Sequence, residues 1–331
     1  MTALAPHLGA FLQEHLPRER GASQHTCETY AYGFQLLLCF VSERLSTTPS
    51  ALVLEQIDTA IIVEFLNHLE QDRGNAPSTR NGRLAAIKAF FRFIEYRVPS
   101  CIEQAGQVRA IPAKRADVSI PDYLNTQELQ CVLDAPDPQT YHGIRDRAML
   151  HLAFAAGLRV SELVSLLISD LTLKPRPTIR VMGKGRRERV LPLWKQTTQC
   201  LRAWLAIRAQ CQVSEIFLNR HDVGMTRSGF EYILNKHCNS AAFKQPSILD
   251  KKISPHIMRR SCAIQTLQAT KDIRKVALWL GHASTQTTEA YLRMDPSQKL
   301  DMMESMVPPS VSKGKFRVSD KVLDMINPKT E

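Results

Sequence analysis

Apolar side chains recur at helical spacing through the first hundred residues. In SQHTCETYAYGFQLLLCFVSERL, Tyr30, Phe34, Leu37 and Val41 fall at steps of three and four and so share one helix face. Ser23 or Thr26 offers a side-chain oxygen at its start, where the first backbone N–H groups need acceptors. TAIIVEFLNHLEQDRG repeats the period and stops at Gly74, a residue suited to the left-handed backbone that ends helices. APSTRNGRLAAIKAFFRFIEYRVP opens on Pro77 and Ser78 and aligns Leu84, Ile87, Phe91 and Ile94. Arg80, Arg83, Lys88 and Arg92 are interleaved with them and serve equally as a solvated face or as phosphate contacts. These patterns predict a four-helix domain over residues 1–100.

The period then lapses. Residues 101–122 carry no apolar repeat, hold Pro112 and Pro121, and add Lys114 and Arg115; they are expected to be an interdomain linker whose charges could track a DNA backbone. From residue 123 the signals are mixed. NTQELQCVLDA predicts a short helix led by Thr126, and IRDRAMLHLAFAAGLRVSELVSL predicts a buried helix, a turn at Gly157 and a second helix. PTIRVMGKGRRERVLPL predicts strands at 178–181 and 188–191, joined by the polar hairpin MGKGRRE. Helices are expected at 196–210, 226–242, 257–269 and 272–281. The predicted fold is mainly α with a small β-sheet, with a second domain over residues 123–300. The tail, 301–331, is expected to be flexible until KFRVSDKVLDMI, whose apolar residues Phe316, Val322, Leu323 and Ile326 could dock on this chain or a neighbouring subunit.

Charge sharpens the picture. The chain of 331 residues carries 43 Lys and Arg against 32 Asp and Glu, a net charge of +11. Residues 1–115 hold 12 basic against 11 acidic side chains, and residues 116–331 hold 31 against 21, so the excess lies in the second part. A basic domain favours a polyanionic partner, above all nucleic acid. No apolar run approaches the roughly 18 residues of a membrane span, and the first residues lack a basic, signal-like start, so a cytoplasmic, nucleoid-associated protein without a membrane partner is expected. The eight cysteines are scattered with no C-x-x-C pair, which suggests neither a zinc site nor a disulfide framework.

Four short segments carry candidate chemistry: GLRVSEL with Arg159, GKGRRER with Lys184, PHIMRRS with His256 and Arg259 one helical turn apart, and LGHASTQTTEAY with His282 and Tyr291. Singly each is ordinary, since such an arginine often forms a surface ion pair and such a hairpin is often only a solvated turn. Their co-occurrence, in this order and in a basic domain, is specific.

In that combination the chain resembles the tyrosine recombinases, or phage integrases. The resemblance covers the catalytic domain, about residues 122–295. It extends to the core-binding domain through the segment around Tyr30 and Phe34 and through STRNGRLAAIKAFFRF. It implies an N-terminal helical, SAM-like core-binding domain followed by a mixed α/β catalytic domain. Two departures stand out: MRR has Arg260 where the family often has histidine, and SCAIQTL replaces the commoner run of small residues.

The implied activity is site-specific cleavage and rejoining of double-stranded DNA through a 3′-phosphotyrosine. The resemblance makes Tyr291 the nucleophile, Arg159 and Arg259 a clamp on the phosphate, His282 a further donor, His256 the base and Lys184 the general acid. The chemistry suits these residue types. Guanidinium forks bind two phosphate oxygens and stay protonated, a phenol needs a base, and the leaving 5′-oxygen needs a proton. No cofactor is expected, for the sequence shows no P-loop or metal motif. Candidate DNA contacts are Arg80, Arg83, Lys88, Lys114, Arg115, Arg186 and Arg187. The family implies a homotetramer on paired sites, with possible partner recombinases or accessory proteins. Glu162 reads either as an acidic neighbour of Arg159 or as a helix-surface acid. Two alternatives use the same residues differently: a type IB topoisomerase-like nicking and closing enzyme, and a noncatalytic DNA-binding protein of the same fold.

Overall fold

The computed structural model describes residues 2–115, 122–183, 187–208 and 212–282, together with Thr288 and Tyr291. The expected tail at 301–331, with its amphipathic segment, lies outside the described residues. The backbone divides into two compact units, Met1–Ser119 and Ile120–Glu331. Among the described residues no helix is long and apolar enough to cross a membrane.

In the first unit, α1 (Leu4–Ala10) runs directly into a wider π-type helical stretch, Phe11–Glu19. The three helices expected next are present as α2 (Gln24–Leu45), α3 (Thr59–Gln71) and α4 (Pro77–Glu95). Of the two candidate caps for α2, Ser23 takes the position and accepts the Thr26 N–H at 3.2 Å. Phe34, Leu37 and Val41 are buried, as are Leu84, Ile87, Phe91 and Ile94 on α4. Phe11, Phe34 and Phe90 pack mutually edge to face, with centroids 5.3 to 6.1 Å apart. That geometry sets the positive ring edge against the negative ring face.

The expected linker differs from what is found. Residues 102–110 form α5 (Ile102–Ala110), and Ala105, Val108 and Ile111 enter the first core. Three apolar contacts on so short a helix leave almost no period to detect. The chain beyond is fastened too: Asn81 donates to the Lys114 carbonyl at 2.7 Å and accepts the Lys114 N–H at 3.0 Å. Residues 101–114 of the expected linker therefore belong to the first unit.

The second unit begins with α6 (Thr126–Asp134). Its cap is Asn125 rather than Thr126: Asn125 accepts the Glu128 N–H at 2.9 Å, and Glu128 accepts the Asn125 N–H at 2.7 Å. This reciprocal box satisfies two otherwise orphaned donors. α7 (Tyr141–Ala155) is the buried helix, and α8 (Val160–Val164) follows the Gly157 turn. Within α7, Asp146 is buried and accepts from Arg145 at 2.7 Å and pairs with His237 at 2.9 Å, so its charge is compensated where water is excluded. The sheet is antiparallel in the order β1 (Leu171–Thr172), β2 (Thr178–Met182), β3 (Glu188–Pro192). β1 has only two residues, too few for an alternation to show. Then come α9 (Lys195–Ile207), α10 (Arg227–Ala242), α11 (Pro255–Thr270) and α12 (Ile273–Leu280). Their apolar faces build one core with α7, centred on residues such as Leu150, Trp204, Phe230 and Ile257.

Candidate active site

The site grows from two turns that only glycine suits. Gly157, between α7 and α8, has φ +55, and a side chain there would meet Leu280 Cδ2 at 2.5 Å and Cys262 Sγ at 3.1 Å. Gly281 ends α12 at φ +65, with Arg189 Cδ 3.1 Å from where its Cβ would stand. Glycine adopts this backbone without steric cost, and its missing side chain lets the two turns and α11 close together. Arg259, on α11, ties them: it donates to the Gly157 carbonyl at 2.5 Å and to the Leu280 carbonyl at 2.7 Å. Two of its five N–H donors are thus used to fix its own orientation.

Glu162 is the hub. Its Oε2 accepts the Arg159 backbone N–H at 2.9 Å and Arg189 at 2.8 Å, while Oε1 accepts the Arg159 guanidinium at 2.8 Å and Arg189 at 3.3 Å. Arg259 stands 3.9 Å away. Burial pushes the Glu162 carboxyl up, but the hydrogen bonds from Arg189 and from the Arg159 backbone outweigh it and hold the group below its ordinary 4.5. Of the two readings of Glu162, the structure selects the buried partner of Arg159 over the surface acid.

His282 and Tyr291 complete the cluster. The rings stack, with centroids 6.3 Å apart and planes 15° from parallel. His282 Nδ1 lies 2.8 Å from the hydroxyl of Thr288, a fully buried side chain with helical backbone one turn before Tyr291. Burial, then the charges of Arg259, Arg159 and Arg189, lower His282 to about 4. The ring is neutral at pH 7 and carries one proton. Two tautomers fit this contact: Nδ1–H donating to the Thr288 hydroxyl, or the hydroxyl donating to Nδ1 with the ring proton on Nε2.

His256 sits in the first turn of α11 and is exposed. Burial of part of its ring, with Arg260, Arg259 and Arg159, keeps it below its ordinary 6.5, so it too is neutral and able to accept a proton. Burial raises the Tyr291 phenol above its ordinary 10 despite the opposing pull of Arg259 and Arg260. Burial also lowers Arg259, to about 10, which leaves it cationic at neutral pH.

The structure brings Arg159, Arg259, His282 and Tyr291 together, with His256 under the influence of the same guanidiniums. Lys184 and Arg186 lie outside the described residues. The base of their hairpin is described: Gly183 N–H donates to the Arg187 carbonyl at 2.8 Å, and Arg187 is exposed. The remaining candidate DNA contacts diverge. Arg80 differs from expectation, being 5% exposed, with its guanidinium donating to the Pro112 carbonyl and Asn81 and lying 4.0 Å from Glu70. It faces its own chain because its helix position points under the 111–115 segment. Arg83 is half-buried, donates to the Thr29 carbonyl and lies over the Tyr32 ring. Lys88 is half-buried, Arg115 is exposed, and the exposed Lys114 pairs with Glu70. Two members of the cluster were not singled out from sequence, Arg189 and Thr288. Both stand inside the motifs already noted, GKGRRER and LGHASTQTTEAY.

Comparison with known proteins follows the same outline. The pattern of the phage integrase family matches residues 122–298, and that of the phage integrase N-terminal SAM-like domain matches residues 10–97. A Sinorhizobium fredii protein with the provisional name integrase/recombinase y4rC is 38% identical over 325 residues, spanning 98% of each chain. Tyrosine recombinase XerC of Myxococcus xanthus is 33% identical over 316 residues, spanning 93% of this chain and 99% of its own. Among solved structures, the XerH site-specific recombinase bound to palindromic difH substrate superposes with a TM-score of 0.67 at 23% identity, over 90% of this chain and 84% of that one. A lambda integrase tetramer bound to a Holliday junction gives 0.62 at 17%, over 88% and 77%. Both share the fold. The family match and the similarity to XerC fix the class of protein as an enzyme that transfers DNA strands. The chain belongs to the phage integrase family, that of the tyrosine recombinases, and its activity is site-specific recombination.

Proposed function

We propose that this recombinase cuts each strand with Tyr291 and holds the scissile phosphate with Arg159, Arg259 and His282. The observation that carries the reading is the convergence of these four side chains, from three separate segments, around the buried Glu162. A phosphodiester entering this site meets cations fixed before it arrives, so little reorganisation is needed as charge builds in the transition state. His282 donates through Nε2. His256, neutral and beside the same arginines, takes the phenolic proton as Tyr291 attacks phosphorus. The bond to the 5′-oxygen breaks, and Lys184 supplies the proton that this oxygen needs. The products are a 3′-phosphotyrosine and a 5′-hydroxyl. Attack by a 5′-hydroxyl of another strand reverses the chemistry and rejoins the DNA.

The substrate is duplex DNA at a specific recombination site, approached through the basic second unit, with exposed Arg115 and Arg187 touching phosphates. The working assembly is a homotetramer, with room for partner recombinases or accessory proteins; the lambda integrase neighbour, named as a tetramer bound to a Holliday junction, supports this reading. The compartment is the cytoplasm, on the nucleoid.

A trapping assay tests this reading. The protein is incubated with nicked duplexes drawn from DNA flanking its own gene, and a covalent species is sought on a denaturing gel. The expected result is an adduct that vanishes in Tyr291→Phe while DNA binding persists. An adduct that survives Tyr291→Phe would overturn the assignment of the nucleophile.

A further inference from the structure

One charged side chain at the centre of the cluster has no part in the scheme above. Arg189 is the second residue of β3, paired in register with Val181 of β2, two residues beyond the carbonyl that closes the hairpin base. It is nearly buried, and its guanidinium spans both oxygens of Glu162, at 2.8 and 3.3 Å. Three catalytic elements touch it. Glu162 is held by Arg189 on one side and holds Arg159 on the other. Gly281, the residue before His282, packs on the Arg189 side chain at 3.1 Å from where its Cβ would be. Gly183, the residue before Lys184, stands over the pair, with Arg189 Nη1 3.4 Å and Glu162 Oε1 3.7 Å from its Cβ position.

We propose that Arg189 is a positioning residue: clamped on Glu162 and packed under Gly281, it sets the base of the hairpin that carries Lys184 in register with the Arg159–Arg259 clamp. Lys184 directly follows Gly183, so where the base at Gly183 and Arg187 sits fixes where the segment bearing Lys184 begins and ends. A guanidinium is suited to this task because its planar fork fixes both distance and orientation against a carboxylate. The inference rests on Lys184 being the general acid, as proposed above.

That dependence supplies the test. In a duplex with a 5′-bridging phosphorothiolate at the cleavage position, Tyr291 attacks phosphorus, the P–S bond breaks, and the sulfur leaves as a thiolate with the electron pair. A thiolate needs no proton at neutral pH, so loss of the general acid ceases to matter. Full-length wild type, Lys184→Met, Arg159→Ala, Arg189→Met and Arg189→Lys are compared on the ordinary and the sulfur-substituted forms of a duplex that wild type cleaves. Thermal midpoints and DNA affinity are measured in parallel.

The expected result is that Arg189→Met cleaves the ordinary duplex on the order of 100-fold more slowly, as for an acid displaced by about 1 Å. It should recover about tenfold or more on the phosphorothiolate, as Lys184→Met does and Arg159→Ala does not. Arg189→Lys keeps a cation against Glu162 without the fork and shows the same pattern at smaller amplitude, which covers the case in which Arg189→Met does not fold. Wild-type rates in the folded Arg189 variants would overturn the proposal. So would a defect that sulfur does not relieve while Lys184→Met is relieved. Failure of Lys184→Met itself to recover would remove Lys184 as the acid, and the inference about Arg189 with it.

Discussion

Replacing Glu162 by Gln removes the only carboxylate, among the described residues, from a group of three guanidiniums that stand 2.8, 2.8 and 3.9 Å from it. Each of its oxygens accepts two N–H donors. An amide nitrogen in either position cannot accept, so in either orientation of the Gln two hydrogen bonds become donor-to-donor contacts. Hydrogen bonds to charged groups are worth ~1.5–3 kcal/mol each, and breaking a buried ion pair from one side costs ~3–5 kcal/mol. A loss of about 3 kcal/mol is expected, which lowers the melting temperature by roughly 6–12 °C for a unit of this size. Thermal unfolding of both proteins at a series of pH values provides the check. The folded Glu162 carboxyl titrates below its ordinary 4.5, so its stabilisation is complete above 4.5 and drains away as the pH falls through the lower folded value. The gap between Glu162→Gln and wild type should therefore be full at pH 7 and close on going well below pH 4.5. Duplex DNA should narrow the gap at pH 7, because its phosphate supplies the missing negative charge. A gap at pH 7 below about 1 kcal/mol, or one that does not change on acidification, would refute the picture of Glu162 as the counter-charge of the site.

Thr288→Val keeps the shape of the side chain but frees His282 Nδ1 to hold the ring proton, so single-turnover cleavage should slow by about tenfold with DNA affinity unchanged; an unaltered rate would show that Thr288 does not set the tautomer. Arg80→Ala should destabilise the first unit by about 2 kcal/mol and leave the salt dependence of DNA binding intact, while Arg115→Ala should lower the slope of log K against log salt by about 0.9. The opposite pair of results would put Arg80 on the DNA.

Where a segment's apolar spacing was dense, the sequence was enough to place it. α2 and α4 bury the faces that the steps of three and four pick out, and Gly157 and Gly281 mark turns because glycine takes their left-handed backbone without steric cost. α5 escaped because its contribution to the core is Ala105, Val108 and the following Ile111, too sparse against the prolines and charges around them. Arg80 and Arg92 look alike by periodicity, yet one is buried and the other exposed, and the difference lies in a carbonyl 32 residues further along the chain. Arg189 and Glu162 pair across 27 residues. No local pattern records such a pairing, so GLRVSEL and GKGRRER were read as two motifs when their charges form one unit.

That unit explains how the site is at once stable and ready. Three guanidiniums and one carboxylate leave a net positive charge in a largely buried cluster. A free cation in such a place is unfavourable, and two features offset the cost. Arg259 rests on two backbone carbonyls, and Arg159 and Arg189 share Glu162. The remaining imbalance falls on the titratable neighbours. It helps keep His256 and His282 neutral, while burial keeps the Tyr291 phenol protonated. On the proposed mechanism the free enzyme therefore holds its base and its histidine donor neutral and its nucleophile protonated. A phosphodiester brings the negative charge that the cluster lacks. Its arrival is favoured by the same imbalance, and on the proposed mechanism neutral His256 then takes the proton of Tyr291. On the proposed mechanism the phenol therefore stays latent until DNA occupies the site.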